Sequence, residues 1–487
     1  MTCSEVMTAF DECMKDVCSV PERYAECPER DFIRCRKLPA ETVLSLLVFL
    51  RGDTTKNAMF DFFDAHGPFA RLKDRAAFPY ESALVQQRKK LKPEGVEMLL
   101  QAFTDRLTAQ MDKEQHRMFD ELVPLAGDGT SFRYESSLTY SDAAYQHKGG
   151  GTGWFEQKLT ALYNLEREQF TDGIVHGVTG GSEQQDMCRL VDRQARPQDG
   201  RKYLYILDRA YGTFNLLAHI QENGDYYLVR MKDIGSNGIA SGVNIEKDLL
   251  NSGAPVDIDV TFRIGRSLPV TQELPEHVYN HNIGLYTAFD FFGPGDFPVY
   301  TLKTRLVRIQ LPTGEYELLL TNLPRDKYSA EQIGSMYNLR WNEEVGFRDI
   351  KYTLGALSFH AKIDKLVTQE IWASLIAFNM TSAIINGLPH PGTENELGSC
   401  PATSQQGPQQ QERDDTPDNT TLSGVRAELN FNYAAHVVRR QLVRRTISDE
   451  MMVREIRKYA QKVILGRHTA RDPHHTRRRF YLNYRSA

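Results

Sequence analysis

The chain has 487 residues, 41% of them hydrophobic and 25% charged, with a formal net charge of −5. That length suffices for two to four domains with a sizeable core. The longest apolar run, 371–385, is interrupted by Ser374, Asn379, Thr381 and Ser382, which excludes a membrane span and predicts a core helix.

The start, MTCSEVMTAFDEC, has no basic segment ahead of an apolar one, so no secretory signal is read there and the reducing cytosol is the expected compartment. Five of the seven cysteines (Cys3, Cys13, Cys18, Cys27 and Cys35) crowd the first 35 residues without the C-x-x-C pairs of common zinc modules. Free, partly buried thiols are expected. Up to about residue 115 the segments AETVLSLLVFLRG, TKNAMFDFFDAHG, ESALVQQRKKLKP and GVEMLLQAFTDRLTAQMDK have helical apolar spacing, so an all-α head is predicted. Within it the basic run Arg88, Lys89 and Lys90 is a candidate DNA contact.

From about Val123 the pattern turns to strands: VPLAGDGTSFRYE, KLTALYNLE and QFTDGIVHGVTGG. The helix SEQQDMCRLVDRQA follows, then the short buried strand YLYILDRAY, the helix GTFNLLAHIQENG and the strand DYYLVRMK. Three strands, helix, strand, helix, strand predict an antiparallel meander extended by parallel strands through helical crossovers. Between about Asp233 and Leu323 come VDIDVTFRIG, GLYTAFDFF and a hairpin around PTGE, read as an inserted β subdomain. Ser329 then opens a helix with Gln332 at the capping-box position. The stretch from Gly387 to Gly424, rich in Pro, Gly, Gln and acids, predicts a disordered linker. From Arg426 onward, 15 Lys or Arg stand against 5 Asp or Glu, a balance of +10 that leaves −15 for everything before it. Aromatics among these arginines suit a phosphate backbone, and the linker is expected to hold this region apart from the core.

The helix YNLRWNEEVGFRDIKYTLG contains the most informative pattern. At about 100° per residue, Tyr337, Arg340, Glu344 and Lys351 fall within roughly 60° on one face, beside an apolar arc of Met336, Leu339, Phe347, Ile350 and Leu354. Glu343 points about 100° away from Glu344, and its loss is expected to be nearly silent. Asp128, in LAGDGTS, and Asp208, in YLYILDRAY, each close a core strand, which places their carboxylates at a sheet rim. Three carboxylates able to converge are what hard divalent cations need, with coordination positions left for water and phosphate.

DGTSF, LDRAYG and the spacing Y-(2)-R-(3)-E-(6)-K resemble the DDE transposases of bacterial insertion sequences, in the branch with the YREK signature, the insertion sequence four family. The resemblance implies an α/β fold: a ribonuclease-H-like catalytic core with an inserted β subdomain, flanked by helical DNA-binding regions. It divides the chain into a helical DNA-binding region (1–116), a first core part (117–232), the β insertion (233–325), a second core part with the Glu344 helix (326–387), the linker (388–424) and a basic helical region (425–487). It implies that Asp128, Asp208 and Glu344 hold two Mg²⁺, which Mn²⁺ replaces, and that Tyr337, Arg340 and Lys351 contact DNA. The implied activity is cut-and-paste transposition: cleavage at inverted-repeat ends and strand transfer to a target, in a homodimeric complex on the chromosome of a prokaryotic cytoplasm, with no membrane. The sequence departs from relatives that flip a base onto a tryptophan of the β insertion, because Trp154, Trp341 and Trp372 lie outside it. Tyr286, Phe289, Phe291 and Phe292 are the aromatic substitutes there. Alternatives are a nuclease of the same fold that does not join strands and an inactive DNA-binding regulator.

Overall fold

The computed structural model describes residues 1–33, 37–50, 52–65, 78–111, 117–136, 141–145, 153–234, 238–243, 256–269, 273–292, 298–311, 314–388, 425–445 and 447–464. One mixed sheet runs through the molecule. Its strands are β1 (Leu122–Tyr134), β2 (Ala144–Tyr145), β3 (Trp154–Asn164), β4 (Gln169–Gly177), β5 (Lys202–Leu207), β6 (Tyr226–Met231), β7 (Val256–Gly265), β8 (Val278–Asn282), β9 (Tyr300–Gln310) and β10 (Tyr316–Thr321). The order is β2-β3-β1-β5-β6-β10-β9-β7-β8, with β4 also on β3. The pairs β1–β3 and β3–β4 are antiparallel, while β1–β5 and β5–β6 are parallel, as the meander and helical crossovers require.

Strand alternation builds two cores. Leu122 and Ala126 of β1, with Leu204 and Ile206 of β5, face one side; Val123, Leu125, Tyr205 and Leu207 face the other. The second side is covered by α7 (Glu183–Arg193) and α8 (Phe214–Glu222). On the first, the N-terminal helices α1 (Cys3–Cys18), α2 (Pro21–Tyr24), α3 (Ala40–Phe49), α4 (Thr55–Ala65), α5 (Glu81–Lys89) and α6 (Pro93–Met111) share one core with the sheet, with α6 resting on β4. The later helices α9 (Ala330–Asn338), α10 (Trp341–Arg348) and α11 (Asp364–Asn386) join them there. Asn379 of α11 accepts from the Phe170 amide and donates to its carbonyl, which fixes α11 on β4. Among the described residues no helix is long and apolar enough to cross a membrane.

Several expectations change. The N-terminal helix α1 went unread, although Thr2 and Glu5 form a capping box at its start. GLYTAFDFF is not a strand: Thr287 turns back onto Gly284, and Arg266 takes the carbonyls of Gly284, Leu285 and Thr287. The strands of segment 233–325 extend the central sheet, because β10 pairs antiparallel with β6. The region after the linker does not stand apart. Its helices α12 (Phe431–Arg444) and α13 (Asp449–Lys458) bury Ala434, Val438, Leu442, Met452 and Ile456 in the same core as α11 and the N-terminal helices. Arg439 pairs with Asp53 at 2.7 Å, and Asp449 accepts from the Ser4 amide at 2.9 Å. The linker (389–424) and the arginine-rich end (465–487) lie outside the described residues.

Candidate active site

Asp128 and Asp208 meet because of the β1–β5 register. Gly127 is the partner of Leu207 in this parallel pair, so the next residue on each strand is an aspartate, on backbones about 4.8 Å apart. Alternation puts both on the face of Ala126 and Ile206, toward α9–α11. Each carboxylate is tethered by a backbone amide: Gly129 donates to Asp128 at 2.8 Å and Ala210 to Asp208 at 2.6 Å. Burial pushes the Asp128 carboxyl up to about 6; the Gly129 amide and Arg340 oppose the shift, while Asp208 and Glu183 add to it. Glu183 went unnoticed in the sequence. It opens α7, accepts from the Tyr211 hydroxyl at 2.5 Å, and lies so close to Gly129 that a β-carbon there would collide with it.

The Glu343–Glu344 pair comes from above this rim, on a helix that is not continuous. After α9 the backbone tightens to i→i−3 hydrogen bonds: Leu339 to Met336, Arg340 to Tyr337, Asn342 to Leu339 and Glu343 to Arg340. A 3₁₀ turn advances about 120° per residue against about 100°, so four tightened residues add roughly 80°. Glu343 thereby takes close to the direction an unbroken helix would give Glu344. Gly346 and Phe347, its neighbours on the buried face, lie on the Tyr163 and Phe170 rings. Glu343 is fully buried; the Asp128 amide is a nearby donor, but neither oxygen makes a hydrogen bond of normal geometry. Burial and then the Asp128 charge hold its pKa well above the ordinary value, against Arg340 and the Asp128 amide.

Glu344 is turned to the rim, 33% exposed, and accepts from Arg340 at 2.8 Å. Arg340 is itself buried, packed against the Tyr337 and Trp341 rings, and within electrostatic reach of Asp128. The Tyr337 hydroxyl is buried beside Arg340 without a hydrogen bond of normal geometry. Lys351 sits on a π turn after α10 with its ammonium 5.4 Å from the Phe132 ring; burial lowers its pKa, opposed by Glu156 and Asp128. Of the stripe expected to contact DNA, Tyr337 and Arg340 are buried, Glu344 is partly exposed and Lys351 is half-buried. Arg88 is corrected as a DNA contact. It is 2% exposed, pairs with Glu370 at 2.8 Å and donates to the Leu366 carbonyl at 2.7 Å, which ties α5 to α11. Lys89 is exposed and Lys90 half-buried.

Among the described residues no three His, Cys, Asp or Glu side chains stand close enough together to hold a metal ion, so Asp128, Asp208 and Glu344 are not a preassembled triad. The described N-terminal cysteines are free, with Cys3 and Cys18 thiols pushed by burial to about 12. Of the aromatic substitutes, Phe289, Phe291 and Phe292 pack on one another, whereas Tyr286 is 96% exposed.

Residues 122–380, from the start of β1 to near the end of α11, match the family model described as Transposase DDE domain. The chain belongs to this family. Among curated DDE relatives, the transposase InsG of insertion sequence IS4 from Escherichia coli K12 is 22% identical over 63% of this chain and 62% of its own length. The putative transposase InsL of IS186A from the same strain is 39% identical over 17% of this chain and 23% of its own. The chain thus spans less than two thirds of either relative. The likeness to InsG supports the IS4 branch among insertion-sequence DDE transposases. A piggyBac transposase in a synaptic complex with hairpin DNA aligns over 90% of this chain and 77% of its own, at 9% identity and a TM-score of 0.41.

Proposed function

We propose that this chain is a cut-and-paste transposase that binds the inverted-repeat ends of its element, cleaves them and joins them to target DNA. The reading rests on one observation above others: Asp128, in the middle of β1 rather than at its end as expected, and Asp208, just past the end of the parallel β5, stand side by side, with the Glu343–Glu344 helix over the same face. Strands β4-β3-β1-β5-β6, antiparallel and then parallel, fit a ribonuclease-H-like core. Family membership supports the same assignment.

The donor set suits a hard divalent cation. Every candidate ligand is a carboxylate, and the buried Glu343 carboxyl beside Asp128 makes no hydrogen bond of normal geometry in the protein alone. Asp128, Asp208 and Glu344 are the residues that would hold two Mg²⁺. Such ions supply activation of a water or 3′-hydroxyl and stabilisation of the leaving oxygen in an in-line phosphoryl transfer. The protein's own part is positional. The Gly129 and Ala210 amides fix the two aspartates, and Arg340 holds Glu344 while offsetting the charge of Asp128. The exposed Lys89 and the half-buried Lys351 place positive charge for DNA phosphates, which position a duplex without reading its sequence. A homodimer binding two ends would supply the synaptic complex.

Single-turnover reactions on DNA bearing the element's own ends test this. Wild-type protein with Mg²⁺ is expected to release ends with 3′-hydroxyls and to join a precut end to target DNA. Cleavage without joining would favour a nuclease of this fold, and neither activity would favour a DNA-binding regulator.

A further inference from the structure

Glu343 is a buried site carboxylate with no assigned task. Gly346 fixes its place: a β-carbon there would lie 3.2–3.3 Å from ring atoms of Phe170 and Tyr163, so α10 is seated hard against the sheet. Phe347 packs 5.1 Å from Phe170, centroid to centroid. Glu343 lies three and four residues before these anchors and shares their buried face. That face is the one toward which Asp128 and Asp208 project. A carboxyl fully enclosed with only the Asp128 amide near it, and no hydrogen bond of normal geometry at either oxygen, is costly, and a glutamine or leucine would fill the same space at lower cost. Glu344, by contrast, is engaged by Arg340 and partly open to solvent.

We infer that Glu343 supplies a carboxylate oxygen to the divalent-cation site alongside Asp128, so that α10 offers two adjacent acidic ligands rather than Glu344 alone. The inference rests on the metal-site reading given above. With a cation present the under-satisfied oxygens gain the partner that the nearby Asp128 amide only partly supplies. Oxygen ligands of this kind suit Mg²⁺ and Mn²⁺.

Mn²⁺ titrations of the full chain without DNA, followed by the electron paramagnetic resonance of the free ion, test it independently of turnover. Wild type, Glu343→Gln, Glu343→Leu, Glu344→Gln and Asp128→Asn are compared, each with a melting curve in metal-free buffer and one with Mn²⁺. Both Glu343 variants are expected to lose Mn²⁺ affinity by about tenfold or more and to lose the Mn²⁺-induced rise in Tm, while melting at or above the wild-type temperature in metal-free buffer. Wild-type affinity in a folded Glu343→Gln or Glu343→Leu protein, with Asp128→Asn impaired, would overturn the inference and leave the metal-site reading standing. Undiminished binding by Asp128→Asn, or no saturable binding by wild type, would remove that reading and the inference with it.

Discussion

Asp128 carries a testable electrostatic signature. Its carboxyl is held at about 6 in the fold, chiefly by burial, against roughly 3.9 in an unfolded chain. The folded state therefore binds this proton more tightly. The term supports folding below about pH 4, is lost as pH rises from about 4 to 6, and is constant above. Asp128→Asn, which cannot ionise, is expected in metal-free buffer to gain Tm over wild type, and to gain more at about pH 7.5 than at about pH 5. An equal offset at both pH values in paired melting curves would show that Asp128 is not desolvated in this way. The aspartates were legible because each follows a buried apolar run with an acid, although β1 continues past Asp128 to Tyr134 while β5 ends at Leu207, and register then fixes their meeting. Glu343 and Arg88 were not, because burial depends on what packs over a residue. Arg88 looks like surface charge in RKKL, yet Glu370, 282 positions later, encloses it.

The helix bearing Glu343 and Glu344 was legible as to its start but not its path. Ser329 and Gln332 form the capping box read from the sequence. No glycine or proline marks the tightened turn at Leu339–Arg340, since its residues keep right-handed helical angles and only the hydrogen-bond pattern shortens. A count at about 100° per residue therefore slips by nearly one position before α10. The seat of α10 depends on Gly346. Gly346→Val would drive carbon into the Tyr163 and Phe170 rings, and overpacking of this kind costs typically about 1–3 kcal/mol. Urea unfolding is expected to show a loss of that size, together with slower end cleavage as Glu343 and Glu344 shift. Wild-type stability in Gly346→Val would mean that α10 is not held as described.

Across the whole molecule, the sheet was legible because buried strands alternate with helical crossovers, and short connections leave few ways to order them. The packing of the two ends of the chain was not, since no local pattern announces a contact spanning more than 400 residues, such as Ser4 with Asp449. Because α12 and α13 complete the core around α11, deleting residues 425–487 is expected to lower Tm and expose apolar surface to a hydrophobic dye. A truncated chain that melts with the full-length protein would restore an independent basic tail. The central claim concerns the rim itself: that Asp128 and Asp208 serve phosphoryl transfer on DNA. The most direct measurement is single-turnover, Mg²⁺-dependent cleavage of the element's own ends by wild type, Asp128→Asn and Asp208→Asn, alongside end binding by the same proteins. The account expects both variants to bind ends while cleavage falls by at least about 10³-fold, a barrier increase of roughly 4 kcal/mol; cleavage at the wild-type rate by either variant would contradict it.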